Sequence, residues 1–412
     1  MNWDVIVIGG GASGLMAAGR AAERGARVLL LEKMGRAGIK LALTGKGRCN
    51  LTNGGDLSGF IDSYRRNGKF LHNVFSRFFN DDLIAFFQTR GLSVVEERGR
   101  RIFPASNRAQ DVVQVLLNYC SSHGVKTNLR SPVRDILIEK GRAVGARTDS
   151  GEFHAPRVIL AAGGASYPLT GSTGDGYRMA EKLGHTIAPI RPALVPLETR
   201  EKFVRDLQGL TLKNVKAALL SSGHRGTEEF GEMLFTHFGV SGPIILTLSG
   251  DAVEEMGRGN VELTVDFKPA LSLEQVEGRL IREFQAHSRK QMGTILTHLL
   301  PLRLVPIFLR RAQIDPHSRG GEIRSDQRKQ LASSLKDWRL RVKGPRPIEE
   351  AIITAGGVSV REIHPVTLES KIVKGLFFCG EVIDVDGKTG GYNLQEAFST
   401  GWVAGEAAAK GT

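Results

Sequence analysis

Residues 4–32 read DVIVIGGGASGLMAAGRAAERGARVLLLE, and no other stretch restricts the fold so strongly. Val5 to Ile8 is a short apolar run of the kind that forms a buried strand. Gly9, Gly11 and Gly14 supply G-x-G-x-x-G directly after it. A helix is expected next, because Ala17, Ala18, Ala21 and Ala22 give it a small-residue face and Gly25 ends it. Val28 to Leu31 reads as a second strand, closed by Glu32. The spacing predicts a βαβ unit, and with it an α/β fold with a Rossmann-like parallel sheet. In such a unit Gly9 permits the tight turn, Gly11 lets backbone N–H groups reach a pyrophosphate, and Gly14 lets helix and strand pack closely. Ala12 and Ser13 open the helix, whose N-terminus favours phosphate charge. Glu32, 18 residues past Gly14, is the expected acceptor for an adenosine ribose.

FAD and NAD both use this pattern, and three later segments favour FAD. VILAAGGAS at 158–166 is another apolar strand running into paired glycines, which brings Ala162 and Gly163 to the expected cofactor. GSTGDG at 171–176 leads into a helix, where Asp175 is either a cofactor contact or a helix cap. GLFFCGEVIDVDGKTGGYNLQEAFSTGWVAG at 375–405 holds a strand that meets Gly380 and Glu381. Gly390 and Gly391 then open a helix of small and apolar residues. The first-turn N–H groups of Tyr392, Asn393 and Leu394 would favour negative charge developing on a heterocycle before them. One cofactor held from both ends of the chain suits FAD, whose ring lies far from its adenosine.

The stretch KLALTGKGRCNLTN at 40–53 is a second glycine-rich element. It is not an ATP-type phosphate loop. That pattern needs glycine at position 40 and Ser or Thr after Lys46, where this chain has Lys40 and Gly47.

The motifs VIVIGGGASGLMAA, TGKGRCNLTN, RIFPASNRAQDVV, GEMLFTHFGVSGP, TAGGVSVREI and GEVIDVDGKTGGYNLQEAFSTG run from Val5 to Gly401. Together the chain resembles the bacterial BaiN/aminoacetone oxidase-like family of FAD-binding, NAD(P)/FAD-dependent oxidoreductases. G-R-C-N-x-T-N and D-G-x-x-G-G-Y-N-x-Q are the specific patterns. Lys46 departs from the family, which more often has glycine there. The resemblance implies that Thr44 to Asn50 follows the pyrophosphate and lies along the flavin, with Gly45 and Gly47 letting backbone approach the ring. Arg48 would face phosphate or ring carbonyl oxygens. Cys49 reads as a small apolar filler beside the cofactor or as a redox thiol. Lys33 and Lys40 are either phosphate contacts or solvated surface lysines.

The FAD-binding domain is expected to be split between 1–190 and 352–412. An inserted β domain is expected from 191–270 and 339–351, with the hairpin signal SSGHRG and a strand near 260–268. Residues 271–338 read as a basic helical subdomain. Between 271 and 346 there are 16 Lys and Arg against 7 Asp and Glu, so +9 of the chain's net +13 sits there. Such a segment is a solvated helical face or a surface for an acidic partner. RNA is the less favoured partner, because Phe284, Phe308 and Trp338 are its only large aromatics and suit helix cores.

Three widely spaced cysteines, Cys49, Cys120 and Cys379, form no disulfide framework and no C-x-x-C zinc pair. A reducing cytoplasm is expected, with no metal, no membrane span and no leader peptide. The expected chemistry is hydride transfer at flavin N5 to or from a small organic substrate. No general acid or base stands out. His237, in LFTHFGVSG, is a proton donor or a structural histidine. Tyr392 borders the ring as packing or as a substrate contact, and Gly356 and Gly357 line the substrate side. A second dinucleotide fingerprint is missing, so any NAD(P)H would bind transiently. An NAD(P)H-linked reductase leads, ahead of an oxygen-dependent amine oxidase and a flavoprotein acting on or binding RNA.

Overall fold

The computed structural model describes residues 3–221 and 223–410. Ser222, in the turn of the expected SSGHRG hairpin, lies outside them. The chain forms two compact units. One comprises residues up to 192 together with those from 348 onward; the other is 193–347.

The first unit is built on a five-stranded parallel sheet. β1 (Val5–Ile8) lies at its centre, because all four residues are apolar and buried on both faces. α1 (Ala12–Glu23) crosses to β2 (Val28–Leu31), which pairs with β1 in register Val5 to Val28. Lys126–Asn128 extends this side. On the other side of β1 lie Val158–Leu160 and then Leu376–Phe378. The order therefore reverses at β1, where connections leave in opposite directions and open a crevice at the strands' C-terminal ends. The C-terminal helix Tyr392–Ala409 packs directly on α1. A Cβ at Gly401 would lie 2.4 Å from Ser13 O, and one at Gly405 2.4 Å from Ala17 O. Two glycines four apart on one helix thus meet two small residues four apart on the other. The small-residue pattern in both helices is this contact.

The second unit is a closed six-stranded barrel. Its long strands Thr211–Ser221 and His224–Phe235 form the hairpin, and Val261–Asp266 and Trp338–Pro345 close the far side. The helices between 271 and 338 have no core of their own. Val276, Leu280, Phe284, Phe308 and Leu335 are buried in one cluster with the barrel residues Leu263, Val265 and Trp338. Phe308 stacks on Trp338 with ring centroids 4.3 Å apart. No helix among the described residues is long and apolar enough to cross a membrane.

Candidate cofactor site

The three fingerprint glycines do different work. Gly9 has φ +103°, and a Cβ there would lie 2.4 Å from Ala161 O. A Cβ at Gly14 would lie 1.9 Å from Gly9 O. These two glycines hold the turn against its neighbours. Gly11 caps α1 in extended backbone (φ −80°, ψ −166°), and a Cβ there meets nothing within 4 Å. The crevice is open in front of Gly11, at a helix N-terminus, where an anionic group gains most.

Glu32 is buried, and both its oxygens are engaged. Oε2 accepts from Gly10 N at 2.7 Å and Oε1 from Met34 N at 2.7 Å. The carboxylate therefore ties the end of β2 to the glycine turn. Each oxygen keeps a second lone pair for a ribose hydroxyl. Glu32→Ala is expected to lower FAD affinity about 10- to 100-fold, on the scale of one or two charge-assisted hydrogen bonds. Titrating apoprotein with FAD tests this, and an unchanged affinity would remove Glu32 from the site.

Residues distant in sequence meet around Glu381. Lys40 Nζ donates to Glu381 Oε2 at 2.6 Å and to Ser166 Oγ at 2.8 Å. Thr354 N donates to Glu381 Oε1 at 2.7 Å. Gly164 carries no Cβ because one would fall 2.4 Å from Thr354 Oγ1 and 2.7 Å from Glu381 Oε1. Gly380 has φ +74°, and its missing Cβ leaves room for Ser13 Oγ, which would lie 2.3 Å away. The start of α1 at Ser13 and the chain beyond the strand ends at Ala162–Gly163 and Gly380–Glu381 thus converge at the reversal point of the sheet.

The other charged residues singled out in the sequence have protein partners. Lys33 Nζ donates to Asp175 Oδ2 and Thr173 Oγ1, both at 2.6 Å. Burial pushes the Asp175 carboxyl up, but hydrogen bonds from Lys33 and Thr173 outweigh it and hold it below the ordinary range. Arg48 pairs with Glu97, donates to Asn107 Oδ1 at 2.7 Å and lies over the Phe103 ring. Each guanidinium nitrogen thus meets a protein acceptor.

The segment after Lys40 begins as a helix, Ile39–Gly47, but Thr44, Gly45 and Lys46 leave helical geometry. Gly45, Lys46, Gly47 and Cys49 all have positive φ. Lys46, at +58°, holds a conformation that favours glycine, which accounts for the family's residue there. Cys49 is fully buried, and burial pushes its thiol up to about 12. Cys120 and Cys379 are likewise buried and unpaired. Such burial disfavours the thiolate, the reactive form of the group.

At the C-terminal helix, Gly391 has φ +102°, and a Cβ would strike Thr52 C and O at 2.4 Å. Tyr392 packs edge-on against Phe60, with centroids 4.8 Å apart, and its carbonyl accepts from Tyr64 OH at 2.8 Å. Asn393 locks the preceding loop. Its Oδ1 accepts from Gly387 N at 2.8 Å, and its Nδ2 donates to Gly387 O at 2.9 Å. Leu394 packs partly buried against the core. The first backbone bond of this helix, Gln395 N to Gly391 O at 3.0 Å, leaves the N–H groups of 392–394 ahead of it.

Two polar residues here, Gln395 and Glu396, were given no role from the sequence, and Asn50 only a place at the end of the flavin-side loop. Gln395 is fully buried; its Nε2 donates to Ser399 Oγ at 2.8 Å, while its Oε1 accepts nothing. Asn50 Oδ1 is also buried and unpartnered. Glu396 is buried, and burial followed by the nearby Glu381 carboxylate pushes its acid up to about 8. The signal was present in GRCN and YNLQE, where amides and an acid interrupt apolar packing. Orphaned buried acceptors, open space at Gly11 and a free helix N-terminus all fit a bound FAD. His237, by contrast, is exposed on the barrel unit, against Phe238. Gly356 and Gly357 are required by packing: their Cβ atoms would lie 2.3 Å from Pro189 O and 2.6 Å from Val382 O.

Comparison with known proteins gives the same picture. The family described as "HI0933-like protein Rossmann domain" matches residues 3–407. A 3-dehydro-bile acid delta(4,6)-reductase of Clostridium scindens is 35% identical over 98% of both chains. A ribosomal RNA dihydrouridine synthase of Escherichia coli is 31% identical over 98% of both. Among solved structures, 3-ketosteroid delta1-dehydrogenase from Sterolibacterium denitrificans superposes with TM-score 0.56 at 14% identity, covering 100% of each chain. E. coli quinol fumarate reductase FrdA gives 0.52 at 18% identity, over 100% of this chain and 70% of that one. These two likenesses concern the fold. The chain belongs to the HI0933-like Rossmann family of FAD-dependent oxidoreductases.

Proposed function

We propose that this enzyme reduces a carbon–carbon double bond conjugated to a carbonyl group, in a small organic substrate, with NAD(P)H as electron donor. One observation carries the reading: two full-length relatives with very different substrates are named for the same kind of bond. A 3-dehydro-delta(4,6) steroid has its double bonds in conjugation with a ketone. Dihydrouridine is uridine whose ring double bond, next to a carbonyl, has been saturated. In both, the carbonyl makes the alkene electrophilic. FAD, when bound, supplies the hydride equivalent.

The protein's part follows from its own groups. The turn at Gly11 and the N-terminus of α1 bind pyrophosphate, and Glu32 orients the adenosine ribose. The N–H groups of 392–394 stabilise negative charge placed before them. Glu396 holds a proton at neutral pH in a buried position behind Gly380 and Glu381, since Thr400 Oγ1 accepts from Gly380 N and lies 3.4 Å from Glu396 Oε1.

Anaerobic mixing of the holoenzyme with NADH and with NADPH tests the donor. Bleaching of the flavin by either nucleotide is expected. An enzyme left yellow by both, but bleached by a small amine, is an oxidase instead.

A second reading, RNA as substrate, is favoured by the charge of 271–346. Arg282, Arg289, Lys290 and Arg310 are exposed and form no ion pair among the described residues. The aromatics of this segment, Phe284, Phe308 and Trp338, are buried, so contact would be with phosphates rather than by base stacking. Binding of an rRNA fragment should then weaken steeply with salt, by about 0.7–0.9 logarithmic units per decade for each phosphate neutralised. Salt-insensitive or undetectable binding eliminates RNA.

A further inference from the structure

We propose that Glu283, His287 and His298 form a binding site for a divalent transition-metal ion of the zinc class, independent of the flavin chemistry. No metal site was expected from the sequence, because the three residues share no recognisable motif. The fold assembles them. Glu283 lies in the last turn of the helix Leu273–Ala286 and His287 is the residue that ends it, and their side chains approach each other. His298 arrives from the short helical turn Leu296–His298. Its Nδ1 lies 2.9 Å from Glu283 Oε2, and His287 Nε2 lies 3.9 Å from the same oxygen. A ligand atom from each residue lies within 4.8 Å of the others. Tetrahedral ligands held at roughly 2.1 Å from zinc are about 3.4 Å apart. The separations of the two imidazole nitrogens from Glu283 Oε2 bracket that value.

The ligand set is chemically selective. Two imidazoles and one carboxylate suit zinc and its neighbours in the d-block, and suit calcium or magnesium poorly. The backbone beneath is fixed. Gly320 N donates to Lys290 O at 3.0 Å, and a Cβ at Gly320 would lie 3.1 Å from both Phe284 O and His287 O. The side chains are 21%, 27% and 38% exposed for Glu283, His287 and His298. Solvent therefore reaches the site, leaving a fourth position for water or an external ligand. Arg279, one turn before Glu283, already acts on that carboxylate and opposes a dication. The site is accordingly expected to bind more weakly than a closed structural zinc centre. When filled, it clamps the end of the long helix to the 296–298 turn.

The test uses the full-length holoenzyme, stripped with a chelator and titrated with ZnCl2 by calorimetry. One ion per chain is expected. His287→Ala and His298→Ala should each weaken binding at least 10-fold, and Glu283→Gln should weaken it as well. His317→Ala, an exposed histidine of the same segment, should leave it unchanged. Circular dichroism and flavin content establish that each variant is folded, and His298→Gln replaces any that is not. Zinc should raise the melting temperature of the wild type and not that of the double variant H287A/H298A. Absence of saturable binding at one ion per chain, or equal affinity in the double variant, overturns the proposal. Neither result bears on the flavin reading, because NAD(P)H bleaching is measured separately.

Discussion

Gly11→Val is expected to give a folded protein that no longer retains FAD. The backbone at Gly11 is extended with negative φ, which valine adopts readily. A Cβ there meets no protein atom within 4 Å. The fold loses little, about 1 kcal/mol for an apolar helix cap. The valine methyls instead enter the open space before α1, where the proposed pyrophosphate contact lies. FAD affinity should fall at least about 100-fold, equivalent to roughly 2.7 kcal/mol. Gly14→Ala is the contrasting variant. Its Cβ would lie 1.9 Å from Gly9 O and 3.2 Å from Ala161 Cβ. Relief requires the turn and the strand to separate, at a cost of about 3 kcal/mol or more. Gly14→Ala should lose stability and flavin together, whereas Gly11→Val loses flavin alone. Melting curves and flavin content of the purified variants distinguish the two, and full flavin content in Gly11→Val would contradict the placement of the pyrophosphate.

The second large effect is a pH dependence of stability owed to Glu396. The groups facing it are the Glu381 carboxylate, the Thr400 hydroxyl, the Tyr64 phenol and the Cys379 thiol. None is cationic; burial and the Glu381 carboxylate outweigh the Thr400 hydrogen bond, and the acid rises to about 8 from an ordinary 4.5. Below pH 4.5 the group is protonated in both folded and unfolded chains and costs nothing. Between pH 4.5 and 8 the unfolded chain ionises and the folded chain does not, so the folded state loses ground as pH rises. The full difference is on the order of 4–5 kcal/mol at pH 8 and above. Glu396→Gln removes this component. Urea unfolding at pH 5 and pH 8 should show the wild type losing several kcal/mol more than the variant across that interval. Parallel pH profiles would mean that Glu396 is solvated.

Much of the first unit was legible because its constraints are local. Gly9, Gly11 and Gly14 act within one turn of chain, and their spacing carries their roles. The C-terminal helix was legible as small and apolar, but its partner was not. Gly401 and Gly405 are explained only by Ser13 and Ala17, nearly 400 positions earlier. The charged residues were the least legible. Lys33 and Lys40 stand beside glycine motifs and read equally as phosphate contacts or solvated lysines, and Arg48 as facing phosphate or ring carbonyl oxygens. Their carboxylate partners Asp175, Glu381 and Glu97 lie on other elements that no local pattern connects to them. Asn393 illustrates the same limit. As a first-turn residue it offered a backbone donor, yet its side chain is what holds the 387–388 loop. A proline there would remove both. The helices of 271–338 were legible as a basic helical segment, but their burial in one cluster with the barrel residues Leu263, Val265 and Trp338 was not.

Reduction of a conjugated double bond is open to a single-turnover experiment. The holoenzyme is reduced anaerobically and mixed, without oxygen, with a 3-oxo-4,6-diene steroid or with a uridine-containing rRNA transcript. One of these acceptors should reoxidise the flavin and gain two hydrogens per flavin, measured by mass spectrometry. A flavin that stays reduced with both, and is reoxidised only when oxygen is admitted, would contradict this reading.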